Sequence, residues 1–169
     1  MWHFLITACV VLLCGSAAAA QESTGCDKFA WSLAKERASL AATDKAKVTT
    51  GDTIKMLPAS AIVIALLPLN EVKFSLPPER KARTENGFGG AISFPAPLQP
   101  GILQVVLSEE AWIDIVQNGR YVRSVGTTGR SDCPGVRKSV RFEVENAPFV
   151  LQLSDAASNS IIAVIGPKD

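Results

Sequence analysis

Three carboxylates close in the chain, Glu109, Glu110 and Asp114, are the side chains whose type and spacing best suit acid–base chemistry. Paired carboxylates suffice for glycoside cleavage, one protonating the leaving oxygen while the other attacks or activates water. Two features weigh against that use. Glu109-Glu110 reads as a polar loop before a strand, and an Asn-Gly turn at 118–119 would set Arg123 opposite Asp114, lowering its pKa and making it a poor acid. The single histidine, His3, lies in an expected export signal. Its removal would exclude Ser-His-Asp and Cys-His catalysis, histidine-based zinc sites and facial-triad iron. No P-loop or G-x-G-x-x-G is present, and Gly87-Phe88-Gly89-Gly90 reads as a turn or bulge rather than a phosphate cradle. No cofactor and no metal site is expected.

The side chains suited to binding are Trp112, Asp114, Tyr121 and Arg123. They sit on two alternating runs that flank Asn118-Gly119, a strong signal for a hairpin with a type I′ turn. The implied register opposes Gln117 to Arg120, Val116 to Tyr121, Ile115 to Val122 and Asp114 to Arg123. Ile113, Ile115 and Val122 then share the apolar face, and the four candidates share the other. Aromatic rings beside an Asp–Arg pair can stack on sugars and fix their hydroxyls. The same residues also serve as ordinary cross-strand pairs. Arg130, Arg137 and Arg141, with Arg120 nearby, form a second, basic strip that reads most simply as solvated surface.

The elements that must hold this hairpin begin after residue 20. An apolar run, Phe4 to Leu13, and the small residues Gly15 to Ala20 read as a secretory signal peptide over residues 1–20. About 150 residues remain, one domain's length, with no membrane span expected after cleavage. The charge balance of 17 Lys and Arg against 16 Asp and Glu gives no electrostatic argument for nucleic acid. Cleavage leaves Cys26 and Cys133, too far apart for a C-x-x-C redox motif, so an exported chain favours a disulfide between them.

Residues 21–50 read as a helical segment docked on the rest. Thr24 to Asp27 fits a capping box, and Phe29, Leu33 and Leu40 form a stripe along a helix over Lys28 to Ala42, fraying around Thr43 to Lys47. Residues 51–169 read as short strands separated by turns: Thr53–Met56, Ala61–Leu67, Val72–Ser75, Gly90–Phe94, Ile102–Leu107, the hairpin arms, Val136–Glu145, Phe149–Ser154 and Ser160–Ile165. That spacing indicates a mainly β protein, an antiparallel sandwich or barrel with one N-terminal α-helix. Leu76 to Gly87 reads as an exposed, mobile loop, and Lys138 as a core-side residue whose ammonium reaches water.

The passage Val140-Arg141-Phe142-Glu143-Val144-Glu145-Asn146-Ala147-Pro148-Phe149-Val150-Leu151-Gln152-Leu153-Ser154, followed by Ile161 to Ile165, resembles the end of bacterial pre-peptidase C-terminal-type domains. The resemblance covers about the last third of the chain. It implies an exported jelly-roll β-sandwich associated with binding rather than catalysis. The stretch Asp132 to Phe142 also resembles short exported bacterial proteins of unknown role, some carrying a homogentisate dioxygenase label. A dioxygenase of that kind needs histidine ligands to iron, which the mature chain lacks.

Together these point to a periplasmic or secreted, non-catalytic binding or accessory module of the bacterial envelope, its partner a glycan or another envelope component. The alternatives are a carboxylate-dependent glycan hydrolase and a periplasmic inhibitor or assembly partner.

Overall fold

A computed structural model describes residues 25–168. The expected signal over residues 1–20, with His3, Cys9 and Cys14, lies outside the described residues, as does the expected cap at Thr24. The described residues are mainly β, with one α-helix, α1 (Ala34–Ala41). The strands are β1 (Ala46–Thr49), β2 (Ile62–Ala65), β3 (Leu67–Pro68), β4 (Phe88–Phe94), β5 (Gly101–Leu107), β6 (Trp112–Gln117), β7 (Arg120–Val122), β8 (Ser124–Gly129), β9 (Lys138–Val144), β10 (Phe149–Ala156) and β11 (Ser160–Lys168).

They form two sheets. The first is six-stranded in the order β1-β2-β11-β5-β9-β8, and the second five-stranded in the order β3-β4-β10-β6-β7. Alternation along each strand turns one set of side chains inward. Ile62, Val105, Val140 and Ile165 from the first sheet meet Ile92, Ile115, Leu151 and Leu153 from the second in one buried apolar core. Phe94 and Phe149, paired across β4 and β10, stack with ring centroids 5.1 Å apart at the end of that core. Pairing is antiparallel except between β1 and β2, which run parallel, so the first sheet is mixed and the expectation of antiparallel pairing throughout is corrected.

The N-terminal segment lies on the outer face of the first sheet. Phe29, Leu33 and Leu40 are buried there with Ala61, Val106 and Val136, and a Cys26–Cys133 disulfide fastens the segment. The expected apolar stripe is therefore real, but the helix over Lys28 to Ala42 is not continuous. Gly25–Lys28 form a single 3-10 turn, and Phe29 to Leu33 run extended or bent before α1. Specific contacts override helix propensity at this point. The Ala30 amide donates to Thr128 Oγ1 (3.0 Å), Trp31 Nε1 donates to Ser139 Oγ (3.2 Å), and the Arg141 guanidinium lies 4.0 Å from the Trp31 ring. A helical path would withdraw Trp31 from these partners.

Further corrections concern short segments. Thr53–Met56 contributes only an isolated bridge from Thr53 to Ser93, and Val72–Ser75 is not a strand. Thr43 to Lys47, where the helix is expected to fray, leads instead into β1, whose one buried residue, Val48, leaves no alternation to read.

Candidate functional site

The hairpin turn is as its sequence demands, with φ of 53° at Asn118 and 70° at Gly119. Its register holds for three pairs: Gln117–Arg120, Val116–Tyr121 and Ile115–Val122. After Val122 the chain leaves this sheet, and Ser124 pairs with Phe142 in the other. The expected Asp114–Arg123 opposition is therefore corrected. Arg123 is exposed at the crossing, while Asp114 pairs along the backbone with Gln152 of β10. The crossing gains contacts that a longer hairpin would forgo. It brings Thr128 to the Ala30 amide and Gly126 beneath Trp31, where an added Cβ would stand 3.3 Å from the indole ring.

Trp112, Asp114 and Tyr121 do share the outer face of the second sheet, but that face is not open. The expected mobile loop, Leu76 to Gly87, is corrected: residues 75–83 cross the face as a strap held by Gln152, Tyr121, Asp114 and Asp155. Gln152, 1% exposed, accepts from the amides of Ser75 (2.7 Å) and Leu76 (3.2 Å) and donates to the Leu76 carbonyl (3.0 Å). Tyr121 donates its hydroxyl proton to the Pro77 carbonyl. Asp114 accepts from Trp112 Nε1 (2.7 Å) and the Glu79 amide (3.2 Å). At the far end, Asp155 accepts from the Arg83 amide (3.0 Å) and pairs with its guanidinium. Asp155 has a φ of 59°, at an irregularity in the β10–β4 pairing between Leu153 and Ala156; a short polar side chain tolerates that left-handed conformation. Upstream of the strap, Phe74 packs by Gly89, where a Cβ would stand 2.6 Å from the Leu153 carbonyl oxygen, 2.8 Å from Leu69 and 3.1 Å from the Phe74 ring.

These environments move the acids in opposite directions. Burial pushes Asp114 above its ordinary value of 3.8, against the hydrogen bonds from Trp112 and the Glu79 amide. Burial also pushes Asp155 up, but the hydrogen bonds and charge of Arg83 outweigh it and leave Asp155 below 3.8. Burial raises Tyr121, with help from the charges of Asp114 and Glu79.

Trp112 is half-buried, and its ring is bracketed by cations. Arg80 of the strap lies 5.5 Å from the ring centroid and Lys138 of β9 lies 5.3 Å from it. Lys138 therefore does not end in free water. Its ammonium donates to the Ala111 carbonyl (3.1 Å), lies 3.7 Å from Glu110, and is lowered in pKa by burial. Lys138 is the member of this cluster that sequence reasoning placed elsewhere. Its signal was a lysine on the apolar side of a strand.

The three carboxylates proposed for hydrolysis have separate partners. Glu109 accepts from Ser158, Glu110 pairs with Arg137 at 3.0 Å and with Lys138, and Asp114 is occupied as described. The basic strip is dispersed in the same way: Arg130 forms a two-point contact with Asp132, Arg137 faces Glu110, and Arg141 stacks on Trp31. Among the described residues no three His, Cys, Asp or Glu side chains converge to hold a metal ion, and no helix is long and apolar enough to cross a membrane.

The open surface lies at the other end of the molecule. Register puts Trp112 opposite Ser154 at one end of β10, and Phe94 and Gln117 opposite Phe149 at the other. Beyond this second end the β4–β5 loop, residues 55–59 and the end of β11 enclose a groove of about 680 Å³. Its walls carry Pro58, Pro95, Pro97, Pro100 and Pro167, and no aromatic ring lines it. Met56 (78% exposed) and Leu98 (96%) stand on it, two of the three large apolar side chains that the described residues leave open to water. None of Glu109, Glu110 and Asp114 lines it; its ionisable groups are Lys55 and Lys168. Sequence reasoning missed this groove, whose only advance sign was a cluster of prolines in Phe94-Pro95-Ala96-Pro97-Leu98-Gln99-Pro100.

Comparison of the chain with protein-family models, curated proteins and solved structures returns no match.

Proposed function

We propose that this chain is an exported, non-catalytic β-sandwich, jelly-roll-like in layout, that serves as a binding or accessory module of the bacterial envelope and binds through the proline-walled groove. The two-sheet core and the Cys26–Cys133 disulfide support an exported module, since such bonds persist in oxidising compartments. The observation that carries the binding reading is the exposure of Met56 and Leu98 on one concave apolar surface. A groove of this volume falls within the range of small-ligand sites, and clustered exposed apolar side chains mark interaction surfaces. The glycan alternative loses its main support, because Trp112 and Tyr121 are engaged by the strap and the groove has no ring for a sugar to stack on. The hydrolase alternative lacks an assembled carboxylate pair.

Co-sedimentation of the mature protein with envelope fractions tests this reading. The protein is expected to be retained, Leu98→Glu to abolish retention, and Trp112→Ala to leave it intact. Loss with Trp112→Ala but not Leu98→Glu would move the binding surface to the strapped face and defeat the proposal.

A further inference from the structure

We infer that the groove takes the hydrocarbon tail of a single-chain anionic amphiphile, an alkyl carboxylate free in solution, with its head group at Lys55 and Lys168. This rests on the groove being the binding surface and names the class of its ligand. Two features of the lining select that class over a peptide or a sugar.

The first is what the walls cannot offer. Proline has no backbone N–H, so five prolines remove five donors that an extended peptide would need for its carbonyls. Met56, Leu57, Leu98 and Ile102 supply apolar area, and Gln99 is the one uncharged polar side chain beside them. A hydrocarbon chain asks nothing else of a surface, whereas a peptide would bury unpaired carbonyls there. The prolines also hold the walls in fixed backbone conformations, so little ordering is required when a flexible chain enters.

The second is charge. Among the described residues both ionisable side chains on the groove are lysines, and no acid lines it. Among the described residues Lys55 has no carboxylate within ion-pair distance, and Lys168 has only Glu36, at 3.5 Å. A negative head group entering beside the tail meets the Lys55 ammonium, with Lys168 sharing its charge with Glu36, while a cationic head finds no acid on the described lining. The apolar walls and paired lysines thus specify a tail and a head of one sign.

Calorimetric titration of the mature protein with alkyl carboxylates of increasing length, each below its micelle concentration, tests the inference. Saturable one-to-one binding is expected, tightening about four-fold per added methylene until the groove is filled. The alkyl trimethylammonium of equal length should bind more weakly than the carboxylate. Lys55→Ala should weaken carboxylate binding about two- to five-fold and leave an alkyl alcohol of the same length unchanged. Leu98→Glu, at a position too exposed to disturb folding, should weaken every carboxylate at least about ten-fold, with an unchanged circular dichroism spectrum as control.

Equal affinity for carboxylate and trimethylammonium heads would overturn the lysine assignment. Binding to anionic vesicles without binding to any free carboxylate would overturn the free ligand. Absence of all amphiphile binding, with envelope retention still dependent on Leu98, would overturn the ligand class while leaving the groove as a protein-docking surface. If retention were also indifferent to Leu98, the groove reading itself would fall.

Discussion

The outer face of the five-stranded sheet and the surface beyond its Phe94 end solve the same problem in different ways. The outer face carries Asp114, Gln152 and Tyr121, and the protein lays its own backbone across them, matching strap amides and carbonyls to these side chains. At the Phe94 end the surface beyond the sheet is walled by prolines and aliphatic side chains, with no such partners for a strap, and it stays open. Buried backbone must be hydrogen-bonded, so only a face with polar side chains can be closed by a loop. The residues that look most like a ligand site in sequence are the ones the chain uses on itself.

The largest expected effect separates the hairpin's two faces. Ile115 is fully buried in the core, and Ile115→Ala should cost about 2 to 5 kcal/mol. Trp112 is half-buried, and Trp112→Ala should cost about 1 to 3 kcal/mol, chiefly by leaving a buried carboxylate short of a donor. Denaturant unfolding of both variants checks the order. A Trp112→Ala loss equal to or larger than that of Ile115→Ala would make the strapped face a second core.

A smaller effect with a sharper signature is expected at Gln152. This one side chain holds the strap at two residues, so Gln152→Ala should destabilise by about 1 to 3 kcal/mol and free residues 75–83 from the sheet. Limited proteolysis should then cut within that segment, which carries Arg80, Lys81 and Arg83, before the rest of the fold yields. Cleavage first within the β4–β5 loop in this variant would show that the strap does not depend on Gln152.

The contrast between the two surfaces was only half legible in the sequence. The turn could be read because Asn118-Gly119 favours positive φ at both positions, and the disulfide because removal of the expected export signal would leave two cysteines. The inward-facing Val140, Phe142 and Val144 of β9 and Phe149, Leu151 and Leu153 of β10 follow from strict alternation. The strap could not be read, because its own contributions are largely main-chain groups of Ser75, Leu76, Pro77 and Glu79, which carry no side-chain signature. The departure of Arg123 from the hairpin was hidden for a related reason. Its cause lies in contacts of Thr128 and Gly126 with Ala30 and Trp31, nearly a hundred residues away in the chain.

The smallest expected effect is a change in the pH dependence of stability, and it has opposite signs at the strap's two acids. Asp155 is held below its ordinary value in the folded protein, so its contribution is present above the unfolded carboxylate range, near about 3.9, and is lost as pH falls through its folded value. Asp114 is held above its ordinary value, so its contribution is full below that range and is lost as pH rises through its folded value. Asp155→Asn should therefore show a larger deficit in melting temperature at pH 7 than at pH 3. Asp114→Asn should show the reverse, because at pH 7 the parent bears a buried charge that the amide does not. Melting curves of both variants and the parent at the two pH values check this. Deficits that change in the same direction at both sites would mean that one shared electrostatic interaction closes the strap, and that its ends are not held independently by Arg83 and by the indole of Trp112.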